Sequence, residues 1–320
     1  MLLTRFAPSP TGYLHLGHVA NAVYVWGVAR VMKARVLLRI EDHDRVRSRR
    51  VFEEALLEDL DWLGFIADDG RRPVVRQSDR DEVYRNALRE LRQRYHVYAC
   101  DCSRKDILLR AGRFGGQVGG ERYDGRCRRR GIADGPGRGL RVQIDEEPER
   151  FDDLLLGRIE QKPSEQCGDI LLRDRDGHWT YQFAVTVDDM QQGITLVIRG
   201  EDLLSSTARQ IKLGRMMGRT IAPSYLHHPL IEKHGTSLRR SGRQQGMALS
   251  RSGRERPGQK LSKAAGDTGI RDLRTRGFSS EEVIGRAATA IGLIDTYRPI
   301  AAHDVASVFQ GAVFRRTYSP

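Results

Sequence analysis

Two histidines stand three residues apart where the sequence predicts the start of a helix. His15 and His18 enclose Gly17, follow a loop that contains two prolines and a glycine, and precede the mostly apolar segment Val19–Met32. The N-terminus of a helix carries unpaired N–H groups and partial positive charge, so it attracts phosphate, to which imidazoles can also donate. The pair is therefore a candidate nucleotide-phosphate site. The alternative is two histidines that only pack at a helix start.

Two lysines form a second candidate group near the C-terminal end. Lys260 and Lys263 stand in Lys-Leu-Ser-Lys, with Gly258 before it and Gly266 after it. On a glycine-flanked loop, two lysines can reach a triphosphate and neutralise the charge that develops on a leaving phosphate group. Taken alone the signal is weak, because loops rich in Lys and Ser are usually only solvated.

Three of the four cysteines form the third group. Cys100, Cys102 and Cys127 can supply three thiolates, and one oxygen or nitrogen donor would complete a tetrahedral zinc site. From spacing alone, Tyr123 and His96 compete for the fourth position, with water or Asp101 as further candidates. The alternative is a set of unmetallated thiols. Four cysteines in 320 residues do not indicate a disulfide scaffold.

The composition limits the class of protein. With 54 Lys and Arg against 42 Asp and Glu, the net charge is +12, which favours a polyanionic partner, nucleic acid first. The content of 39% hydrophobic and 30% charged residues is typical of a globular chain and excludes a disordered or fibrous one. No apolar run approaches the roughly 18 residues of a membrane span. We therefore expect a cytoplasmic protein without a membrane partner.

The hydrophobic pattern predicts an α/β protein. The strand Leu2–Phe6, the helix Val19–Met32 and the strand Arg35–Glu41 form a βαβ unit, which requires parallel strands and a right-handed crossover. Further helices are predicted over Val51–Leu63, Asp79–Tyr95, Ser205–Met217 and Ser279–Ile291. Further strands are predicted over Cys167–Arg173, Thr180–Val187 and Thr195–Arg199.

The motifs in their order resemble a known family. The loop Arg5–Gly12 running into His15–His18, together with the distal Lys260–Lys263, resembles the two signature motifs of class I aminoacyl-tRNA synthetases, and Arg5–Gly12 is similar to the glutamyl branch. Further matches follow in the same order: Arg39–Asp42, Tyr181–Val185, Asp188-Asp189 and Arg199–Asp202. The resemblance covers residues 5 to 263, which is most of the chain.

The resemblance implies a role for each candidate residue. In this family the α-carboxylate of glutamate attacks the α-phosphate of ATP and gives glutamyl-adenylate and pyrophosphate. It implies these contacts: His15, Gly17 and His18 with ATP; Lys260 and Lys263 with the leaving pyrophosphate; Arg5, Tyr181 and Arg199 with the glutamate side chain; Ser9 and Glu41 with its amino end; and Phe6, Ala7 and Pro8 within the same glutamate-binding loop. The alternative for Glu41 and Arg199 is a structural ion pair. An unrelated nucleotidyltransferase would keep similar histidines without the γ-carboxylate set.

The resemblance also implies the fold and the metal. It implies a Rossmann-type, doubly wound parallel sheet with an inserted zinc-containing module of the acceptor type and a short helical C-terminal part. It decides the fourth zinc ligand in favour of Tyr123. The expected organisation is a first half of the catalytic domain over 1–98, a zinc-binding subdomain over 99–165, a second catalytic half over 166–230, a basic Gly/Arg/Ser-rich loop over 231–259, and the lysine loop with a helical segment over 260–320.

The residues after the lysine motif bear on the substrate. Only 57 residues follow Lys263, too few for the helical domain with which a glutamyl-tRNA synthetase reads the anticodon. The expectation is therefore an enzyme similar to the glutamyl-Q tRNA(Asp) synthetases. Such an enzyme uses L-glutamate, ATP with Mg²⁺, and queuosine-containing tRNA(Asp), and implies no obligate protein partner. The alternatives are a truncated glutamyl-tRNA synthetase that charges tRNA(Glu), or an inactive zinc-containing paralogue that binds RNA.

Overall fold

The computed structural model describes residues 1–69, 74–113, 122–231 and 269–309, with the backbone alone at 111–113. In chain order the strands are β1 (Leu3–Phe6), β2 (Arg35–Ile40), β3 (Val75–Arg76), β4 (Val97–Cys100), β5 (Gly139–Val142), β6 (Glu149–Asp153), β7 (Gly157–Gln161), β8 (Ile170–Arg173), β9 (Leu196–Gly200) and β10 (Ser224–His228). The helices are α1 (Leu16–Met32), α2 (Arg50–Leu63), α3 (Asp81–Arg94), α4 (Arg104–Arg113), α5 (Pro163–Gln166), α6 (Tyr181–Gln191), α7 (Leu204–Met216), α8 (Ile270–Thr275) and α9 (Ser280–Ala290). A 3-10 helix follows at Ala302–Phe309.

Parallel strands build the central sheet in two halves. One half has the order β3-β2-β1, with Leu3 opposite Arg35 and Phe6 opposite Leu38, and the other has the order β9-β10-β6-β7, in which β7 alone runs antiparallel. The halves meet where the Thr195 N–H donates to the Leu3 carbonyl at 2.9 Å. Strand order reverses between β1 and β9, and open α/β sheets bind ligands outside the carboxyl ends of the strands at such a point. The predicted parallel α/β sheet is confirmed.

A second sheet is built from strands that interrupt the central sheet along the chain, because β4 and β5 lie between β3 and β6 and β8 lies between β7 and β9. It is antiparallel, with the order β4-β5-β8. The sheets divide the chain differently from the predicted segments 99–165 and 166–230, because β6 and β7 join the central sheet and β8 pairs with β5. Hydrophobic alternation indicates that a segment is a strand but not which sheet it joins, so this partition could not be predicted from the pattern.

Helix α6 corrects one predicted element. The segment Thr180–Val187 was expected to form a strand, since it is rich in aromatic and β-branched residues. The prediction is wrong: the chain is helical from Tyr181 to Gln191, and both apolar and acidic side chains of this helix are buried. Burial against α7 and α3 overrides the local preference for extended backbone.

Helix α1 lies in the centre of the largest apolar cluster. Nearly every side chain from Val19 to Ala29 is buried, with the sheet on one side and α9 and the C-terminal 3-10 helix on the other. Helix α9 begins with a capping box, in which Ser279 accepts from the Glu282 N–H and Glu282 accepts from the Ser279 N–H. The described part of the C-terminal segment is therefore helical, as predicted. Among the described helices, none has both the length and the apolar character needed to cross a membrane.

Close packing of α9 gives a stability prediction. A Cβ at Gly285 would collide with the carbonyl oxygen of Arg298, a backbone atom that cannot turn aside. We expect Gly285→Ala to lower the free energy of unfolding by about 1–3 kcal/mol and the melting temperature by several degrees. Gly135→Ala is the matched control, because a Cβ there meets no atom within 4 Å. Equal urea and thermal denaturation of the two variants would contradict the prediction.

Candidate active site at the carboxyl ends of the strands

The predicted phosphate-binding histidines form the start of α1. His15 is the N-cap: its Nδ1 accepts from the Gly17 N–H at 3.1 Å, and the His15 N–H donates to Nδ1 of His18 at 3.1 Å. Because both Nδ1 atoms accept, each neutral ring carries its proton on Nε2, the nitrogen that can donate to a phosphate oxygen. A Cβ at Gly17 would lie 2.9 Å from Cε1 of His15, so the glycine makes room for the His15 ring.

Two buried arginines occupy the ends of neighbouring strands. Arg5 on β1 and Arg199 on β9 are each only 4% exposed. Arg5 donates through Nε to Asp189 at 3.1 Å, and its Nη1 and Nη2 have no hydrogen-bond partner among the described residues. A planar, buried and incompletely paired guanidinium is suited to receive a carboxylate in bidentate geometry.

Tyr181, at the start of α6, completes this group. The charges of Glu41, Arg199 and Arg5 all act on its hydroxyl, so these three side chains lie in the neighbourhood of Tyr181. Burial, reinforced by Glu41, raises the pKa of Tyr181, although the two arginines oppose the shift. The phenol therefore stays protonated and can donate a hydrogen bond to a carboxylate.

A network of buried charges holds these residues. Asp189 Oδ1 accepts from both Arg5 Nε and Arg39 Nη1, the latter at 2.8 Å, and Arg39 Nη2 donates to Glu41 at 2.8 Å. Arg39 is fully buried. Burial alone would raise the pKa of Asp189, but the charges of Arg5 and Arg39 outweigh it and hold this pKa below its usual range. Glu41 is thus both an ion-pair partner, as the alternative held, and a carboxylate beside the candidate site.

Asp188 forms the other half of the network. It accepts from Arg80 at 2.7 Å, from Gln77 at 2.8 Å and from the hydroxyl of Tyr84 at 2.9 Å. Sequence reasoning assigned no role to Asp188, Asp189 or Arg39. The signal was present, since two adjacent acids on an otherwise apolar segment must find cations when they are buried.

The loop after β1 begins in the core and reaches the surface within a few residues. Phe6 is buried and packs against Trp26, with ring centroids 5.1 Å apart, so its side chain belongs to the core and not to the site. The Pro8 carbonyl accepts from the Glu41 N–H at 3.0 Å, which ties the loop to the end of β2. Ala7 is half-buried and Ser9 is exposed.

The cysteine group comes together away from the central sheet. The sulfurs of Cys100, Cys102 and Cys127 lie within 4.8 Å of one another, and the last two are 3.5 Å apart. Tyr123 Oη lies 3.6 Å from Cys100 Sγ. These separations fit one zinc ion, because tetrahedral Zn–S bonds of about 2.3 Å put sulfurs roughly 3.8 Å apart. His96 lies outside the sulfur group and contacts Gln143 and Tyr98.

Cations surround the sulfur group. Arg110 donates to Cys102 Sγ at 3.3 Å and Arg130 donates to Cys127 Sγ at 3.4 Å. Burial and the neighbouring Cys127 thiol raise the pKa of Cys102 to about 12. A divalent cation bound by the sulfurs would reverse that shift and ionise the thiols. Cys167 lies apart and donates to the Pro163 carbonyl.

The predicted lysines lie outside the described residues. Lys260 and Lys263, together with the basic loop 231–259 beyond Ile231, belong to this part of the chain. The described chain resumes at Gly269, which forms a β-bridge with His15, and the Ile270 N–H donates to the Leu14 carbonyl at 3.0 Å. The C-terminal segment therefore begins directly beside the histidine pair.

The shared carboxylate gives a second prediction. Replacing Asp189 with Asn removes the buried counter-charge of Arg5 and leaves Arg39 with Glu41 and Asp188 alone, so we expect a loss of about 3–5 kcal/mol in the free energy of unfolding at pH 7. Because the folded pKa of Asp189 is lowered, its stabilisation is complete above the ordinary range near pH 4 and is lost as the pH falls through the folded value. The variant should therefore show a shallower acid dependence in urea denaturation.

Asp176→Asn is the control for this prediction. Asp176 is an exposed acid on the hairpin after β8, and its removal leaves no buried cation unpaired. Similar stability and acid dependence of the two variants would contradict the role assigned to Asp189.

Comparisons with known proteins agree with this geometry. Residues 1–257 match the family model "tRNA synthetases class I (E and Q), catalytic domain". The chain is 37% identical to a glutamyl-Q tRNA(Asp) synthetase of Symbiobacterium thermophilum, over 97% of this chain and 92% of that protein. It is 41% identical to one of Rhodobacter capsulatus, over 78% of this chain and 94% of that protein.

A solved structure is similar over nearly the whole chain. The crystal structure of a glutamate tRNA ligase from Elizabethkingia meningosepticum, in complex with its amino acid, has a TM-score of 0.71 and 27% identity. The match covers 95% of this chain but 64% of that structure. The chain therefore belongs to the class I tRNA synthetases of the E and Q type, a family of ligases that includes the glutamyl-Q tRNA(Asp) synthetases.

Proposed function

We propose that this protein activates L-glutamate with ATP in the absence of tRNA and transfers the glutamyl group to queuosine in tRNA(Asp). The observation that carries the glutamate assignment is the pair Arg5 and Arg199, buried at the carboxyl ends of adjacent strands with guanidinium N–H groups left for a ligand. An amino acid with a γ-carboxylate matches two cations and a neutral phenol better than one with an uncharged side chain would.

A carboxylate, that of Glu41, is proposed to bind the amino end of the substrate. Glu41 keeps one carboxylate oxygen on Arg39 and has a second oxygen that can accept from an α-ammonium group. Ser9, exposed on the loop after β1, is its proposed partner. Cations at one end and an anion at the other fix the direction in which glutamate lies, which places its α-carboxylate toward the start of α1.

The chemistry is a displacement at phosphorus. An oxygen of the α-carboxylate forms a bond to the α-phosphorus of ATP while the bond to the pyrophosphate oxygen breaks, giving glutamyl-adenylate and pyrophosphate. His15 and His18 would donate from Nε2 to phosphate oxygens at the positive end of α1. Lys260 and Lys263 would neutralise the charge on the departing pyrophosphate, with Mg²⁺ accompanying ATP. A hydroxyl of queuosine then attacks the activated carbonyl carbon, and AMP leaves.

The choice of acceptor rests on the relatives. Proteins named glutamyl-Q tRNA(Asp) synthetase align with this chain over nearly their whole length. A second candidate, charging of tRNA(Glu), is favoured by the similarity to a glutamate tRNA ligase structure. The net charge of +12 suits a tRNA in either case. Arginines beside the cysteine group, Arg126 and Arg128–Arg130, and the basic loop 231–259 are proposed to contact its phosphates.

We also propose that the cysteine group holds one zinc ion. Cys100, Cys102 and Cys127 would be ligands, with Tyr123 as the fourth, because its hydroxyl lies beside Cys100 and accepts from the Cys127 N–H at 2.7 Å. The ion would cross-link β4 to the segment around residue 127 and so stabilise the second sheet.

Glutamate activation is tested by ATP–pyrophosphate exchange without tRNA. Arg5→Lys keeps the charge but removes the planar fork, so we expect the KM for glutamate to rise about tenfold or more with little change in the KM for ATP. Arg158→Lys, an exposed position on β7, is the matched control. No exchange by the wild-type protein, or equal KM values for the two variants, would contradict the proposal.

The acceptor is tested by transfer of labelled glutamate. The substrates are queuosine-containing tRNA(Asp), the same tRNA with guanine at the wobble position, and tRNA(Glu). We expect labelling of the first alone. Labelling of tRNA(Glu) instead would establish a charging enzyme. The absence of both pyrophosphate exchange and labelling of any tRNA would favour an RNA-binding paralogue.

Zinc is tested by metal content and stability. We expect about one zinc per purified chain, loss of that zinc in Cys127→Ser, and a lower melting temperature of the wild-type protein after chelation. Cys167→Ser is the control, since Cys167 lies outside the sulfur group. Equal zinc content in both variants would show that the three cysteines do not bind the metal.

A further inference from the structure

The guanidinium of Arg199 donates hydrogen bonds to three uncharged acceptors. Its Nε donates to His227 Nε2 at 3.1 Å, its Nη2 to Thr207 Oγ1 at 2.7 Å and its Nη1 to Gln210 Oε1 at 2.7 Å. A guanidinium has five N–H groups, and the described residues accept from three of them. One N–H group on each Nη atom therefore remains for a ligand. None of the three partners carries a negative charge. The cation is therefore oriented without being neutralised, unlike Arg5 with its Asp189.

The proton position on His227 is fixed by Asp153. Asp153 Oδ2 accepts from both the His227 N–H at 3.0 Å and His227 Nδ1 at 2.7 Å, while Oδ1 accepts from the Leu155 and Leu156 N–H groups. A carboxylate can only accept here, so Nδ1 carries the proton and Nε2 presents its lone pair. Burial lowers the pKa of His227 against the effect of Asp153, which keeps the ring neutral at pH 7. An acceptor is what Arg199 Nε–H requires, since an arginine can only donate.

We infer that His227, set by Asp153 in its Nε2-acceptor tautomer, is a positioning residue that aims Arg199 at the γ-carboxylate of the substrate and thereby sets the preference for glutamate over glutamine. The inference rests on the proposed glutamate activation. It assigns a role to Asp153, on β6, and to His227, on β10, neither of which touches the reacting atoms. A carboxylate partner in place of His227 would hold Arg199 equally well, but its charge would compete with the ligand's carboxylate for the same cation.

Packing alone does not account for this histidine. The adjacent His228 is equally buried, yet it faces the other side of the strand, where it stacks on Tyr24 and its Nε2 contacts Asn21 Oδ1 at 3.0 Å. The two residues give a matched pair on one strand. His227 links Asp153 to Arg199 through two hydrogen bonds. His228 packs into the core beside α1.

The test is glutamate-dependent ATP–pyrophosphate exchange with three variants. His227→Leu removes the acceptor, and we expect the KM for glutamate to rise about tenfold or more while kcat and the KM for ATP stay within about threefold. His227→Gln, whose Oε1 can accept from Arg199, should restore most of the affinity. His228→Leu removes an equally buried imidazole and should leave the KM for glutamate unchanged.

Two further readouts separate positioning from structural damage. The ratio of kcat/KM for glutamate to that for glutamine should fall in His227→Leu, because an arginine that is wrongly oriented no longer favours the charged side chain. In an Arg199→Lys background, His227→Leu should have little additional effect on the KM for glutamate, since its effect passes through Arg199. Fully additive effects in this cycle would overturn the inference.

The outcomes also distinguish the inference from the proposed function. If the wild-type protein activates glutamate and His227→Leu and His228→Leu change its KM equally, the proposed function stands and the positioning role is wrong. If the wild-type protein activates no glutamate, the proposed function is overturned, and the inference with it.

Discussion

The site depends on a single buried carboxylate oxygen. Oδ1 of Asp189 receives Arg5 from the first strand and Arg39 from the second, and it does so from a helix that follows the inserted sheet. With Asp188, Arg80 and Glu41, the network contains three cations and three carboxylates. In a dry interior such charges are tolerable only when they are balanced and hydrogen-bonded. The need to balance the buried charges therefore fixes the position of α6, which carries Asp188 and Asp189, as much as that of the arginines.

The reversal of strand order explains why two kinds of binding group lie together. Arg5 is the last residue but one of the first strand, which continues through a short loop into the N-terminus of α1, and Arg199 is the last residue but one of the neighbouring strand across the reversal. Side-chain cations and a helix N-terminus thus open on the same edge of the sheet. Such cations are suited to a carboxylate and such a helix N-terminus to a phosphate, so this edge presents groups for both kinds of anion side by side.

The sequence was enough to predict the fold class and to single out Arg5, Arg199, His15 and His18, but not the buried residues that hold the two arginines. Motifs such as Arg5–Gly12 and His15–His18 are local, and the chemistry of their residue types can be interpreted without coordinates. Asp153 and His227 contact partners far away in the chain, so no local pattern marks them, and the adjacent acids Asp188 and Asp189 were matched as a motif without their cationic partners being identified. The motif that contains Phe6 did not show that its side chain packs into the core against Trp26, because the direction of a side chain at the end of a central strand depends on the tertiary packing. The strand predicted over Thr180–Val187 was wrong because burial against distant parts of the chain, and not local preference, determines the conformation of this segment.

The junction between the two half-sheets has a consequence for the order of events during synthesis. Arg5 is synthesised before its counter-charge, which lies 184 positions later in the chain, and both that carboxylate and the neighbouring strand that carries Arg199 follow the whole second sheet. Until then β1 has one unpaired edge, and Arg5 lacks its carboxylate partner. Closing so long a loop is entropically slow, so the site forms among the last features of the fold. A nascent chain arrested in the inserted sheet would expose that edge, and chaperones that bind unpaired strands would meet it first there.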